Sequence, residues 1–198
     1  MSSSPGHRTR RGKLIVISGP SGTGKTSICK ALVQMPDAIL SVSATTRPMR
    51  PGEINGRSYE FLSPEEFQRR ASAGEFLESA EYLRHWYGTP RGPAEQALAA
   101  GKNVVLEIEV QGGMQVAAKM PEAVLIFVLP PNMESLRARL EGRKTEAADQ
   151  LARRLAEADG EIATARDSGC YKHFVVNDVL EDTIEQVRRI IEKENRQA

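Results

Sequence analysis

Residues 14–26 read LIVISGPSGTGKT, and the fold turns on this stretch. Its first five residues are apolar and largely β-branched, the make-up of a short strand buried on both faces. Its last eight, Gly19 to Thr26, match the pattern GxxxxGK[ST], and the segment that follows, Ile28 to Val33, has helical spacing. Strand, Gly-rich loop and helix in that order form the setting in which the pattern binds phosphate. The glycines Gly19, Gly22 and Gly24, with Ser21 and Thr23 between them, let successive backbone N–H groups turn inward. The helix opened by Lys25, Thr26 and Ser27 adds the positive end of its dipole. Lys25 reaches the β and γ oxygens of a nucleoside triphosphate, and the Thr26 hydroxyl is a ligand for Mg²⁺.

Working outward, apolar runs recur at Val104–Ile108, Ala123–Leu129 and Phe174–Val176. Between and after them lie the helical patterns Gly113–Met120, Met133–Leu140 and Asp182–Ile191. This alternation predicts an α/β fold, a parallel sheet covered by helices on both faces. The run VVLEIE, 104–109, places Glu107 and Glu109 two apart, on one face of a strand end at the crevice of such a sheet. They are the acidic candidates for the metal side of the site, Glu109 directly or through water. Residues 45–101 break the alternation and predict a small α+β insert around one helix, opened by Ser63 as N-cap, Pro64 and Glu66. Residues 139–167 are almost wholly helical and charged, with the thin apolar stripe Leu151, Leu155 and Ile162, and read as a flap. Residues 1–12 read as a disordered basic tail.

Composition excludes several classes. The 27 basic and 26 acidic residues leave a net charge of +1, which argues against a dedicated nucleic-acid binder. The longest apolar run, Ala123–Leu129, is far too short to cross a bilayer, and the N-terminus lacks a signal-peptide core, so a cytoplasmic protein without membrane attachment is expected. Cys29 and Cys170 lie far apart without metal spacing and read as plain buried thiols. Oligomeric state is not legible.

The segment SVSATTRPMRPGEINGRSYEF, 41–61, adds Arg47, Arg50 and Tyr59 as groups able to converge on a small anion. Together with GEFLE (74–78), WYGTP (86–90), LEIEVQG (106–112), LEGRKTE (140–146) and VVND (175–178), in that order, it resembles guanylate kinase from about Lys13 to the C-terminus. The resemblance implies a phosphate-loop core (13–44, 101–136 and 169–198), a GMP-binding lobe (45–100) and a helical lid (137–168). It also implies ATP as donor, GMP and dGMP as acceptors, and Mg²⁺ as cofactor.

Carried over by position, Arg47, Arg50, Tyr59 and Tyr87 resemble the clamp on the GMP phosphate. Ser43, Glu78 and Thr89 resemble the guanine readers, with Glu107 and Glu109 on the same side. Arg139, Arg143 and Arg154 resemble lid arginines that close over the ATP phosphates, and Asn177 a contact to adenine. Lys25, Arg47, Arg50, Arg143, Arg154 and Glu109 are then the residues expected to act in catalysis. Glu109 and Lys144 depart from the expected pattern, in which Asp and Gly are usual. Rival readings are weaker: Glu109–Gly112 echoes the DxxG turn of GTP-hydrolysing switches, but no NKxD guanine motif exists, and a scaffold module would have lost the loop.

Overall fold

The computed structural model describes residues 11–82, 84–142 and 148–196. The first part of the chain forms β1 (Leu14–Ser18), α1 (Lys25–Leu32), β2 (Ala38–Leu40), β3 (Ala44–Thr45), β4 (Glu60–Phe61) and α2 (Pro64–Ser72). Then come β5 (Phe76–Tyr82), β6 (His85–Pro90), α3 (Arg91–Ala99), β7 (Asn103–Glu107) and α4 (Val110–Lys119). The chain ends with β8 (Val124–Leu129), α5 (Met133–Glu141), α6 (Ala148–Asp167), β9 (His173–Val176) and α7 (Leu180–Arg196).

Five strands form a parallel sheet in the order β2-β7-β1-β8-β9. β1 lies at its centre, and each of its residues is buried because successive side chains feed opposite layers. Ile15 and Ile17 pack with Ile28 and Leu32 of α1 and Val187 and Ile191 of α7. Leu14 and Val16 belong to the other face, with Leu98 of α3, Val116 of α4 and Ala165 of α6. The chain leaves β1 toward the β7 side and returns later on the β8 side, so a crevice opens beyond the carboxyl end of β1. The phosphate-binding pattern begins there.

A second sheet, β4-β3-β6-β5, forms a lobe beside that crevice. Its small core is Ala44, Phe67 and Phe76, the two rings stacked at 4.6 Å. As expected, Ser63 caps α2, its Oγ accepting from the Glu66 N–H at 3.2 Å. Gln115 of α4 anchors the lobe: its Oε1 accepts from Ser79 N–H (3.1 Å) and its Nε2 donates to Ser79 O (3.0 Å). On the far side of the crevice, α5 and the first half of α6 share a separate cluster of Leu136, Leu140, Ala158, Leu151 and Leu155.

Several sequence expectations change in detail. The insert contains two helices, and the second, α3, packs on the main sheet through Ala94 and Leu98. The strand bearing Glu107 stops there: Glu109 is the N-cap of α4 (φ −73°, ψ 166°), because Val110 is buried as the first residue of that helix rather than as the next strand position. Ile162 leaves the lid stripe and joins the main core. Cys29 is buried, but Cys170 is half-buried, with its Sγ 3.1 Å from Ser168 Oγ. Gly12, the last residue of the expected tail, donates its N–H to Leu98 O at 2.9 Å; residues 1–10 lie outside the described chain.

Candidate active site

The loop after β1 is held by its own backbone. Thr23 Oγ1 donates to Pro20 O (2.8 Å), and Lys25 Nζ donates to Gly19 O (2.5 Å) and Pro20 O (2.9 Å). Gly24 turns the chain into α1 at φ +90°, a conformation costly for any residue with a Cβ. From below, Asn177 Nδ2 donates to Thr23 O (2.8 Å), while its Oδ1 accepts from Thr183 Oγ1 (3.1 Å). Asn177 is only 4% exposed and braces the loop.

A cleft of about 590 Å³ runs from this loop to the lobe. Gly19, Ser21, Lys25 and Thr26 line one end of it; Ser43, Tyr59, Glu78 and Tyr87 line the other. Glu107, Glu109 and Gly112 lie along its floor, and Arg154, Glu157 and Glu161 of α6 close its side. Thr26 Oγ1 donates to Glu107 Oε1 at 2.6 Å, so the carboxylate paired with the loop hydroxyl is Glu107 rather than Glu109. Burial pushes the Lys25 ammonium below its ordinary value, and the fields of Glu161, Glu107 and Glu109 push it back up. Burial raises the Glu109 carboxyl, against the pull of Lys25. It raises the Glu161 carboxyl to about 7.

At the lobe end, Glu78 is 4% exposed and accepts from Thr89 Oγ1 through Oε1 at 2.7 Å. Desolvation raises its carboxyl, and the Thr89 hydrogen bonds hold it partly down. A Cβ on Gly112 would stand 2.8 Å from Glu78 Oε2, so any larger residue there would force the carboxylate to shift. Tyr59 and Tyr87 meet edge to face at 6.1 Å. Arg47 does not line the cleft. Its guanidinium makes a two-pronged ion pair with Glu53 (2.7 and 3.0 Å) and sits over the Tyr59 ring at 5.4 Å. Arg50 is exposed, its backbone N–H donating to Glu53 Oε2 at 2.7 Å.

Of the lid arginines, Arg154 faces the cleft, Arg139 donates to Asn177 O at 2.9 Å, and Arg143 and Lys144 fall outside the described residues. Sequence reasoning missed Glu53, Glu157, Glu161 and the bracing by Asn177. The Glu in RPGE and the apolar-flanked Glu161 were visible as letters, but nothing local marks a glutamate on a charged helix as facing a cleft.

A family model described as guanylate kinase matches residues 11–194. The chain is 51% identical over 187 residues to a guanylate kinase of Rubrobacter xylanophilus, covering 92% of this chain and 96% of that protein. It is 48% identical over 182 residues to a guanylate kinase of Symbiobacterium thermophilum, covering 91% and 85%. Its structure resembles the crystal structure of guanylate kinase from Anaplasma phagocytophilum, with a TM-score of 0.72 at 33% identity, covering 93% of this chain and 87% of that one.

Proposed function

The chain belongs to the guanylate kinase family and transfers the γ-phosphoryl group of ATP to GMP, giving ADP and GDP; on that premise we propose how the cleft divides the work. The donor polyphosphate binds at Gly19–Ser27, with Lys25 drawn off the loop carbonyls onto the phosphate oxygens. GMP binds at the lobe end. Its guanine presents N1–H and the 2-amino group side by side, and the Glu78 carboxylate accepts both, a pairing adenine cannot offer. Thr89 orients that carboxylate, and Ser43 lies within the same end of the cleft. Tyr59 and Tyr87 hold the acceptor phosphate, with Arg47 and Arg50 recruited from the Glu53 pair. The single observation that carries this reading is that Lys25, Thr26, Glu78 and Tyr87 line one continuous cleft.

The acceptor is a phosphate oxygen already largely ionised near neutral pH, since the second pKa of a phosphate monoester is about 6. No general base is required. What opposes transfer is the repulsion of two anions, and the cations Lys25, Arg47, Arg50, Arg154 and Arg143 offset it while the lid excludes water. Mg²⁺ fits the loop end, where a hydroxyl and a carboxylate, Thr26 and Glu107, already converge with Glu109 nearby; hard oxygen donors few in number suit an ion that keeps several waters. When bound, it would neutralise charge on the transferring phosphate. None of the proposed contacts to GMP depends on the ribose 2′-hydroxyl, so dGMP is an acceptor too.

The test is ADP formation measured with GMP, dGMP, AMP and ribose phosphates as acceptors. GMP and dGMP are expected to support turnover and the others not; equal turnover of AMP would overturn the assignment of Glu78.

A further inference from the structure

Helix α6 belongs to two cores. Its first half, through Leu151, Leu155 and Ala158, packs with α5 in the lid cluster, and its second half, through Ile162 and Ala165, packs on the main sheet. Gly160 lies at the changeover, with nothing within 4 Å of where its Cβ would be. On this stretch Glu157 and Glu161, one turn apart, line the cleft that also contains Lys25.

Glu161 is the anomalous member. Its Oε2 is shut off from solvent and has no hydrogen-bond partner among the described residues. Among the carboxylates acting on Lys25 its field is the strongest, yet Lys25 Nζ donates to the carbonyls of Gly19 and Pro20. The groups that face Glu161 are Lys25 at the start of α1, Glu109 at the head of α4, Glu157 on its own helix and Tyr171 ahead of β9. Among the described residues lining this part of the cleft, the cations Lys25 and Arg154 stand with the carboxylates Glu107, Glu109, Glu157 and Glu161. A carboxylate oxygen shut off from solvent without a partner costs stability, and an apolar side chain of the same size would not incur that cost. Such a group calls for a functional reason. The polyphosphate that binds at the loop brings further negative charge to Lys25.

Resting on the donor-site reading above, we propose that Glu161 sets the dwell time of the donor nucleotide: carried by the lid helix into the space beside Lys25, its carboxylate repels the polyphosphate that the loop and Lys25 attract. The loop grips phosphate with its N–H groups and the Lys25 charge, and within it only the neutral carbonyls of Gly19 and Pro20 compete for that charge. Glu161 supplies the opposing force, and because α6 also belongs to the lid cluster, that force bears on the element that must move when ADP leaves.

The experiment is the affinity and dissociation rate of metal-free ADP, by calorimetry and stopped flow at about pH 8, where the carboxylate is largely ionised. Glu161→Gln keeps the shape and removes the charge, and it should bind ADP about three- to tenfold tighter, with a correspondingly slower off-rate. Glu161→Asp, which keeps the charge, should bind no tighter than the unsubstituted protein. If the Gln variant does not fold, Glu161→Met carries the same expectation. Unchanged or weaker ADP binding by a folded uncharged variant overturns the proposal, as does equal tightening in the Asp variant. Lys25→Ala separates the two readings: if it leaves ADP affinity intact, the donor-site reading fails, however the Glu161 variants behave.

Discussion

The two ends of the cleft are built on different principles. At the loop end the binding atoms are backbone, fixed by Thr23 on Pro20, by Lys25 on Gly19 and Pro20, and by Asn177 from below. At the lobe end they are side chains on strands as short as two residues, and a cation proposed for the acceptor phosphate, Arg47, is engaged with Glu53. On the proposed division of the cleft, the donor end is preformed in its backbone and only Lys25 changes partners, whereas the acceptor end is assembled by exchanging one anion for another. Substitutions at the first end should act nearly all or none, and those at the second should be graded.

The largest effect sharpens that contrast. Lys25→Ala should lower kcat by about 10³-fold or more with the fold intact, because a cation that neutralises the transferring oxygens is removed from a loop whose backbone stays in place. Near-normal turnover would break the comparison at its donor side. Gly112→Ala comes next: its Cβ would press on Glu78 Oε2, so KM for GMP should rise roughly tenfold while ADP affinity is unchanged. Loss of ADP affinity as well would mean that the two ends are not separable. Glu53→Gln should lower KM for GMP only a few-fold (about two to five), since Arg47 is freed of the anion that the acceptor phosphate must displace but keeps its place over Tyr59. An effect as large as that of Lys25→Ala would show that Glu53 touches the reaction itself.

The smallest effect is in stability. The Glu161 carboxyl is raised by burial to about 7, above its ordinary unfolded value, so folding favours its protonated form. That contribution is complete below the unfolded pKa and is lost as pH rises through about 7. In thermal melts of the nucleotide-free protein, the Tm of Glu161→Gln should therefore gain on the unsubstituted protein between about pH 5 and pH 8. A gap that stays constant with pH would contradict the burial of this carboxylate.

This contrast also explains what could be read from the sequence. The donor end was legible because a phosphate loop is a local object: LIVIS, three glycines, Lys25 and Thr26 are consecutive, and the runs that became β7, β8 and β9 are apolar enough to announce a parallel sheet. The lobe was legible mainly as a resemblance, because β3 and β4 have only two residues each and carry no period. Glu109 was misplaced because the alternation of VVLEIEV runs on past the strand end, and Val110 is buried equally well as a helix start. Glu161 was invisible because its burial comes from the changeover of α6 between two cores, a tertiary property with no sequence mark. Glu78, by contrast, sits where the motif put it, next to Thr89 in the register of β5 and β6.

The most direct test of the divided cleft is the ratio of kcat/KM for GMP to that for AMP in Glu78→Gln. An amide accepts only one of the two guanine donors and turns its own NH₂ toward the other, leaving a buried pair unmatched. The ratio should collapse by about 10²-fold or more, through loss of GMP turnover, with ADP binding at the loop unaffected. A ratio that survives the substitution would contradict Glu78 as the reader of the base and, with it, the assignment of the lobe end to GMP.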